Sequence, residues 1–306
     1  MTIVPVEEVI ARIPMWRDAS DVQISLLRGG ITNLNYRVDV GNESFVLRIS
    51  GDKTELLGIN REYECRTQQL AAEAEIAPEV VYFLMPEGYL VTRFIKGRAV
   101  PPEELRQPEN LQRLAKILRR VHALPEIPGV FDSFQVVRDY ADIARRYNVS
   151  FPENFDWLIG KMNAAESALK THPIILRPCH NDLLNGNFLL SNWLYILDWE
   201  YARMGDPFFD LANFSNNHEL SSEEAHWFLN FYVDEDTPQN VAHLNIMRIM
   251  SDFREAMWGL VQVGISSIDF DFREYADKHF DRLTQRLQHP DWNQWLEDVA
   301  ANDSRR

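Results

Sequence analysis

The feature that most constrains the fold of this 306-residue chain is the polar segment His180–Asn187, which two short apolar runs follow. Asp182 and Asn187 stand five positions apart, and Asp198 directly follows the second apolar run, Tyr195–Leu197. Phosphoryl transfer needs a carboxylate that accepts the proton of the attacking hydroxyl, and it needs oxygen ligands for Mg²⁺. The spacing, which is that of a kinase catalytic loop, predicts Asp182 as the base and Asn187 and Asp198 as metal ligands. A polar turn without chemistry is the alternative, and the position of Asp198 argues against it.

The order of predicted elements indicates two lobes. Alternating or helix-forming patterns predict strands over 23–27, 36–40, 44–49, 80–84 and 89–94, and a helix over 60–77. From Leu105 the chain is predicted to be mainly helical, starting with an amphipathic helix over 110–123, with the two apolar runs as the exceptions. We therefore predict an α+β, bilobal fold. A nucleotide-binding lobe over 1–95 has a small antiparallel sheet and one helix, a larger helical lobe spans 96–306, and the site lies in the cleft between them.

Composition narrows the classes of partner. A formal net charge of -15 disfavours nucleic acid and anionic membrane surfaces, but it does not disfavour a cationic substrate. Cys65 and Cys179 have no spacing that indicates a disulfide framework or a zinc site. No secretory leader and no apolar run approaching ~18 residues is found, so a cytoplasmic protein without membrane insertion is expected. The sequence leaves the oligomeric state open, with a homodimer as one option.

The chain resembles the choline/ethanolamine kinase family, which shares the wider aminoglycoside-phosphotransferase and protein-kinase-like fold. The matching segments are His180–Asn187, Ile196–Tyr201, Gly29–Asn33, Val46–Ile49, Arg61–Glu64, Trp258–Leu260, Ile265–Phe270 and Tyr275–Ala276. The resemblance runs from about residue 29 to 280. It implies ATP- and Mg²⁺-dependent phosphorylation of the hydroxyl of a small cationic alcohol, choline or ethanolamine first, as a step that supplies phospholipid precursors.

The resemblance also implies the residues that bind the nucleotide. They are Gly29, Gly30, Thr32, Asn33, Arg48, Glu64, Phe94 and Ile95. A glycine loop lets backbone N–H groups approach phosphate, although by itself the Gly29-Gly30 pair also fits a plain hairpin turn. Arg48 stands where most kinases have a lysine, and Arg keeps its charge and binds phosphate in a bidentate manner. Glu64 is the predicted partner of Arg48 and Glu62 is its competitor, while backbone groups of 93–95 are predicted to contact adenine.

On the acceptor side, the resemblance implies contacts from Glu200, Tyr201, Trp258 and Tyr275. A quaternary ammonium has no hydrogen-bond donors, so aromatic faces and nearby carboxylates bind it. Without the resemblance, ordinary helix packing is the better interpretation of Trp258 and Tyr275. Two positions depart from the family, because Glu255 replaces a second tryptophan and Asn217 replaces a glutamate. His180 and Asp210 are expected to brace the catalytic loop.

Other functions stay open at this point. A kinase of the same fold could act on an aminoglycoside, on thiamine or on another amino alcohol. A catalytically silent binding protein is the alternative from another class. Asp182, Asn187 and Asp198 argue against silence, because a silent site has no need of all three together.

Overall fold

The computed structural model describes residues 5–19, 21–27, 33–51, 53–233 and 237–301. The chain forms two compact units. The first unit comprises Met1–Ala99 and Gly186–Tyr201, and the second comprises Val100–Asn185 and Ala202–Arg306. Two separate segments of the chain thus form the first unit, whereas the sequence predicted one continuous segment. The predicted lobe boundary at residue 95 stays a prediction.

The helices and strands follow one another in this order. The first 99 residues contain α1 (Val6–Arg12), β1 (Val22–Leu27), β2 (Leu34–Val40), β3 (Glu43–Ile49), α2 (Arg61–Glu73), β4 (Val80–Leu84), β5 (Tyr89–Arg93) and β6 (Arg98–Ala99). Next come α3 (Pro102–Leu105), α4 (Pro108–Val121), α5 (Ser133–Arg146), α6 (Phe155–Leu169) and β7 (Arg177–Cys179). The second segment of the first unit, Gly186–Tyr201, contains β8 (Phe188–Leu190) and β9 (Leu194–Ile196). The remainder contains β10 (Arg203–Gly205), α7 (Pro207–Asn217), α8 (Ser222–Tyr232), α9 (Pro238–Ile265), α10 (Phe272–Leu287) and α11 (Trp292–Ala300).

The first unit is built on a five-stranded antiparallel sheet with the order β1-β2-β3-β5-β4. Alternation along each strand sends apolar side chains to one core, as in β3, where Phe45, Leu47 and Ile49 are buried. Helix α1, which the sequence did not predict, adds Val9 to this core. A second, three-stranded sheet has the order β6-β8-β9.

Helix α2 shows how capping sets the phase of a helix. The side chain of Asn60 accepts hydrogen bonds from the N–H groups of Glu62 and Tyr63, which fixes the first turn. Glu64 then lies on the buried face, whereas Glu62 is exposed. The predicted extension to residue 77 is wrong, because the helix ends at Glu73 and Glu75 adopts a left-handed conformation with φ 57°.

The second unit is arranged around α9, which packs against α5, α7, α10 and α11. Its middle, from Ile246 to Gln262, is buried on every side. The prediction that this part of the chain has no strands beyond the two apolar runs is wrong, because β7 pairs with β10 in an antiparallel ladder. These strands have three residues each, too few for a visible alternation. No helix in the described ranges is long and apolar enough to cross a membrane.

Gly259 allows α9 and α10 to approach closely. A Cβ atom at this position would lie 2.9 Å from Cβ of Ala276 and 3.1 Å from the carbonyl oxygen of Phe272. We expect Gly259→Ala to lower the free energy of unfolding by about 1–3 kcal/mol, since the helices must separate to accept the methyl group. Gly160→Ala is the control, because its added Cβ has no atom within 4 Å. Urea unfolding of both variants checks this, and equal stability of the two would contradict it.

Candidate active site

The loop that carries Asp182 is held through its backbone by α7. The carboxylate of Asp210 accepts hydrogen bonds from the N–H of His180 at 2.9 Å and the N–H of Asn181 at 2.7 Å. Asn213, one turn further along α7, accepts from the N–H of Leu183 at 2.6 Å through Oδ1. Backbone groups on both sides of Asp182 are therefore fixed to one helix, and Asp210 is one of the two side chains that hold them.

His122 completes this brace behind Asp210. Its Nε2 lies 3.0 Å from Oδ2 of Asp210 and its Nδ1 lies 2.6 Å from the hydroxyl of Tyr232. The thiol of Cys179 lies in the same cluster, with the ligating atoms of all three groups within 4.8 Å of one another. Since both ring nitrogens of His122 already have hydrogen-bond partners, we interpret the cluster as a brace. His180 is buried, and its Nδ1 accepts a hydrogen bond from the N–H of Asp182 at 3.3 Å.

Asp182 lies in a buried polar cluster with two residues of α9. Nη1 of Arg254 lies 3.2 Å from Oδ1 of Asp182 and 2.6 Å from Oε1 of Glu255. Oε2 of Glu255 accepts a hydrogen bond from the hydroxyl of Tyr275 at 2.8 Å. Burial by itself would raise the pKa of Glu255, but the charges of Arg254 and His279 and the hydrogen bonds from Tyr275 and Arg254 together outweigh it and lower that pKa. Burial and the neighbouring Glu255 raise the pKa of Tyr275 well above its ordinary value, so this phenol stays a donor.

Two of the three aromatic residues predicted on the acceptor side, Trp258 and Tyr275, lie together. The ring centroids of Trp258 and Tyr275 are 5.6 Å apart at an interplanar angle of 68°. Phe272 packs edge-on against Trp258 at 5.7 Å, and Phe270 lies 6.2 Å from Tyr275. This end of the α9–α10 pair therefore offers several ring faces next to the carboxylate of Glu255.

In the first unit, Arg48 on β3 forms a buried ion pair with Glu64 on α2. Its Nη1 also lies 3.6 Å from Oδ1 of Asp198. Burial alone would raise the pKa of Glu64, but Arg48 and Arg61 outweigh it and lower that pKa. Nε and Nη2 of Arg48 are buried and have no hydrogen-bond acceptor within the described part of the chain. Donors of this kind require an acceptor, and phosphate oxygens would supply one.

Glu200 lies in the same network. One carboxylate oxygen, Oε2, is 2.8 Å from Nη1 of Arg61 and accepts from the amide of Asn33 at 3.0 Å. The same nitrogen of Arg61 is 2.8 Å from Glu64. Two arginines and two glutamates are thus linked through buried contacts in the first unit. Tyr201, the next residue after Glu200, is also buried.

The hairpin of β8 and β9 brings the two predicted metal ligands to one end of a sheet. Phe188 pairs with Ile196, and beyond this pair the N–H of Leu197 donates to the carbonyl of Asn187 at 2.9 Å. Asp198 follows at once with φ 63°, a left-handed conformation that aspartate adopts more readily than most residues. Its side chain is 34% exposed, so a ligand can reach this side chain.

Only some of the remaining predicted nucleotide contacts lie within the described residues. Gly29, Gly30 and Thr32 lie outside the described residues. In the segment predicted to contact adenine, the N–H of Arg93 donates to Glu79 and that of Phe94 donates to Ser44. The guanidinium of Arg37 lies over the ring of Phe94, 4.5 Å from the ring centroid. Ile95 is half-buried.

Several residues of these networks were not predicted from the sequence. They are Arg61, His122, Asn213 and Arg254. A signal existed for two of them, because Arg61 stands one helical turn before Glu64, and the Arg254-Glu255 pair interrupts an apolar stretch of α9. His122 and Asn213 carried no such signal.

Fold and site together define a protein-kinase-like phosphotransferase, and the comparison with known proteins agrees. The model of the choline/ethanolamine kinase family matches residues 24–284. The chain therefore belongs to the choline/ethanolamine kinase family. The predicted recognition of this family and the predicted enzyme class, a small-molecule phosphotransferase, are both confirmed.

Individual relatives have low sequence identity to the chain but match most of its length. Protein LicA of Haemophilus influenzae is 29% identical over 272 residues, which cover 85% of this chain and 78% of LicA. Ethanolamine kinase 2 of Homo sapiens is 27% identical over 308 residues, covering 88% of this chain and 77% of the relative. A solved choline/ethanolamine kinase family protein from Mesorhizobium loti is 30% identical with a TM-score of 0.83, covering 96% and 98% of the two chains. Aminoglycoside phosphotransferases share the fold, so the predicted fold class is confirmed.

Proposed function

We propose that this protein transfers the γ-phosphoryl group of ATP, with Mg²⁺, to the hydroxyl of a small cationic alcohol, choline or ethanolamine first. The observation that carries the proposal is the catalytic loop, in which Asp182 is held between backbone groups fixed by Asp210 and Asn213. Membership of the choline/ethanolamine kinase family supports it. We assign the Arg48–Glu64 pair of the first unit to the nucleotide and the aromatic residues Trp258 and Tyr275 of the second unit to the acceptor.

Arg48 is the proposed phosphate contact. Its pairing with Glu64 fixes one side of the guanidinium, while the buried Nε and Nη2 are left to donate to phosphate oxygens. Gly29, Gly30 and Thr32, which lie outside the described residues, stay predicted phosphate contacts. Because the N–H groups of Arg93 and Phe94 are already bonded, Ile95 is the proposed N–H donor to adenine, and carbonyl groups of residues 93–95 stay predicted acceptors.

Asn187 and Asp198 are the proposed ligands of Mg²⁺. The donor set fits this ion, since it consists of an amide oxygen and carboxylate oxygens, and Mg²⁺ prefers hard oxygen ligands. When bound, Mg²⁺ neutralises charge on the phosphates. The pairing of β8 with β9 keeps the side chains of Asn187 and Asp198 at one end of this hairpin.

Asp182 is the proposed base. Its carboxylate takes the proton of the acceptor hydroxyl while that oxygen forms a bond to the γ-phosphorus. The bond from this phosphorus to the β–γ bridging oxygen breaks, and ADP leaves with the electron pair. Trp258 and Tyr275 provide ring faces for the cation, with Glu200 and Tyr201 as further predicted contacts.

A panel of acceptors tests the proposal. ADP release is measured with choline, ethanolamine, thiamine and an aminoglycoside, each with and without Mg²⁺. We expect the highest kcat/KM for choline or ethanolamine and no turnover without the metal. A clear preference for thiamine or the aminoglycoside would replace the proposed acceptor. If no ADP were released with any of the four acceptors, a silent binding protein would be favoured.

Trp258 provides a direct test of the acceptor site. We expect Trp258→Ala to raise the acceptor KM by roughly 2- to 30-fold, because a ring face contributes about 0.5–2 kcal/mol to binding a cation. Trp258→Phe should lose less, since a ring face remains, and the KM for ATP should stay nearly constant in both variants. Steady-state kinetics with each substrate varied in turn measures these values.

Trp292 supplies the matched control, since it is another buried tryptophan of the second unit and contacts Lys161 instead. Trp292→Ala should destabilise the protein without a selective change in the acceptor KM. If Trp258→Ala and Trp292→Ala changed the two KM values alike, Trp258 would be a packing residue and would not bind the acceptor.

A further inference from the structure

Arg254 links two carboxylates inside the second unit. Its Nη1 lies 3.2 Å from Oδ1 of Asp182 and 2.6 Å from Oε1 of Glu255, and the three side chains are 2%, 8% and 3% exposed in the order Arg254, Asp182, Glu255. Two buried carboxylates this close to one cation would repel each other in its absence. The guanidinium therefore supplies the positive charge that stabilises the ionised form of Asp182.

Glu255 is anchored independently of Asp182. The hydroxyl of Tyr275 donates to Oε2 at 2.8 Å, and the amide of Asn213 donates to Oε1 at 3.4 Å. Glu255 stands where the family resemblance implied a second tryptophan, and its carboxylate joins Tyr275 to Arg254. One end of the bridge is rigid, which allows it to orient the other end.

We propose that Arg254 is a positioning residue for phosphoryl transfer. Anchored by Glu255, it stabilises the ionised carboxylate of Asp182 and fixes the orientation of this carboxylate through the contact with Oδ1, so that the base is held in place for the acceptor hydroxyl. The proposal rests on the proposed function, since it takes Asp182 as the base. It also couples the acceptor-binding side chain of Tyr275 to the base through one chain of contacts.

The charges of the cluster predict opposite effects of two substitutions. Among the described residues of the second unit, the charged or titratable groups near Asp182 and its partners include Arg254 and Glu255 on α9, Tyr275 and His279 on α10, Asp210 on α7 and His180 in the loop. Arg254→Gln removes the positive charge, which disfavours ionised Asp182. The acid limb of the pH profile of kcat/KM should therefore move to higher pH by about one unit or more. Glu255→Gln removes a negative charge, and the limb should move to lower pH.

The rate constants separate positioning from folding. At neutral pH, Arg254→Gln should lower kcat by about 10- to 100-fold, because a small displacement of a reacting group costs this much. The KM for ATP should stay within about twofold. Arg254→Lys should recover a large part of kcat, because an ammonium restores the positive charge. Arg248→Gln is the control, since it removes another buried arginine of α9, one that bonds Asn216 and the carbonyl of Leu220. It should destabilise the protein without moving the pH profile.

A titration without turnover keeps this proposal separable from the proposed function. In protein labelled with ¹³C at aspartate carboxyls, the Asp182 signal is assigned by its loss in Asp182→Asn. Its midpoint should rise in Arg254→Gln and fall in Glu255→Gln. Unchanged midpoints, or shifts in the same direction, would overturn the role of Arg254 whether or not any acceptor is phosphorylated. If no acceptor in the panel gave ADP release, by contrast, the proposed function would be overturned, while shifted midpoints would still show that Arg254 controls the charge of Asp182. Glu255→Gln also decides the matter if Arg254→Gln does not fold.

Discussion

Asp182→Asn should lower kcat on the best acceptor by roughly 100-fold or more, because an amide cannot take up the hydroxyl proton. The substitution keeps the shape of the side chain and still offers an oxygen to Nη1 of Arg254, 3.2 Å from the native carboxylate. The backbone bonds that hold the loop come from Asp210 and Asn213 and are unaffected. Affinity for ATP measured by calorimetry and the midpoint of thermal unfolding should therefore stay close to those of the wild type.

Asp132→Asn is the matched control for this change. Asp132 caps α5 in the same unit, where its carboxylate accepts from the N–H groups of Phe134 and Gln135. Asparagine is an equally good cap, so this variant should keep both stability and turnover. A near-normal kcat in Asp182→Asn with an active control would show that another group accepts the proton. A parallel loss of ATP affinity would show that Asp182 acts on the nucleotide.

The strands and the catalytic loop could be predicted because their signals are local. Alternation over five to seven residues is enough to define β1 to β5, and the loop motif occupies a single contiguous segment. The choice between Glu62 and Glu64 required one further step. It depends on the helical phase that the Asn60 cap sets, and this places Glu64 beside Arg48. The sequence contained the cap, but it did not contain the position of α2 relative to β3.

The contacts of Arg254 could not be predicted for a different reason. Arg254 and Asp182 are 72 positions apart, so their contact depends on how α9 packs, which no spacing encodes. The Arg254-Glu255 pair is visible as an interruption of an apolar stretch, but the middle of α9 is buried on every side, so the pattern does not show which neighbour the arginine contacts. Glu200 is a similar case. The resemblance assigned it to the acceptor, while its carboxylate contacts Arg61 and Asn33 of the first unit.

Asp198→Ala should abolish most of the gain in ATP affinity that Mg²⁺ provides, because the ion loses its carboxylate ligand. The affinity for ATP without metal should not fall, in contrast to the affinity for Mg-ATP. Asp198 lies 3.6 Å from Nη1 of Arg48, so its removal takes a negative charge away from the proposed phosphate site. We therefore expect ATP without metal to bind at least as well as to the wild type, while Mg-ATP binds at least about tenfold more weakly and kcat falls with it.

Glu87→Ala is the control that separates metal binding from the general loss of a carboxylate. Glu87 belongs to the same unit, pairs with Arg12 and is 33% exposed, against 34% for Asp198. Because a surface pair of this kind contributes at most about 1 kcal/mol, Glu87→Ala should leave both affinities unchanged. Calorimetry with ATP alone and with Mg-ATP compares the three proteins. If Asp198→Ala weakened both forms of the nucleotide equally, Asp198 would orient Arg48 and the metal would need another ligand. If it weakened neither, the proposed metal site would be wrong.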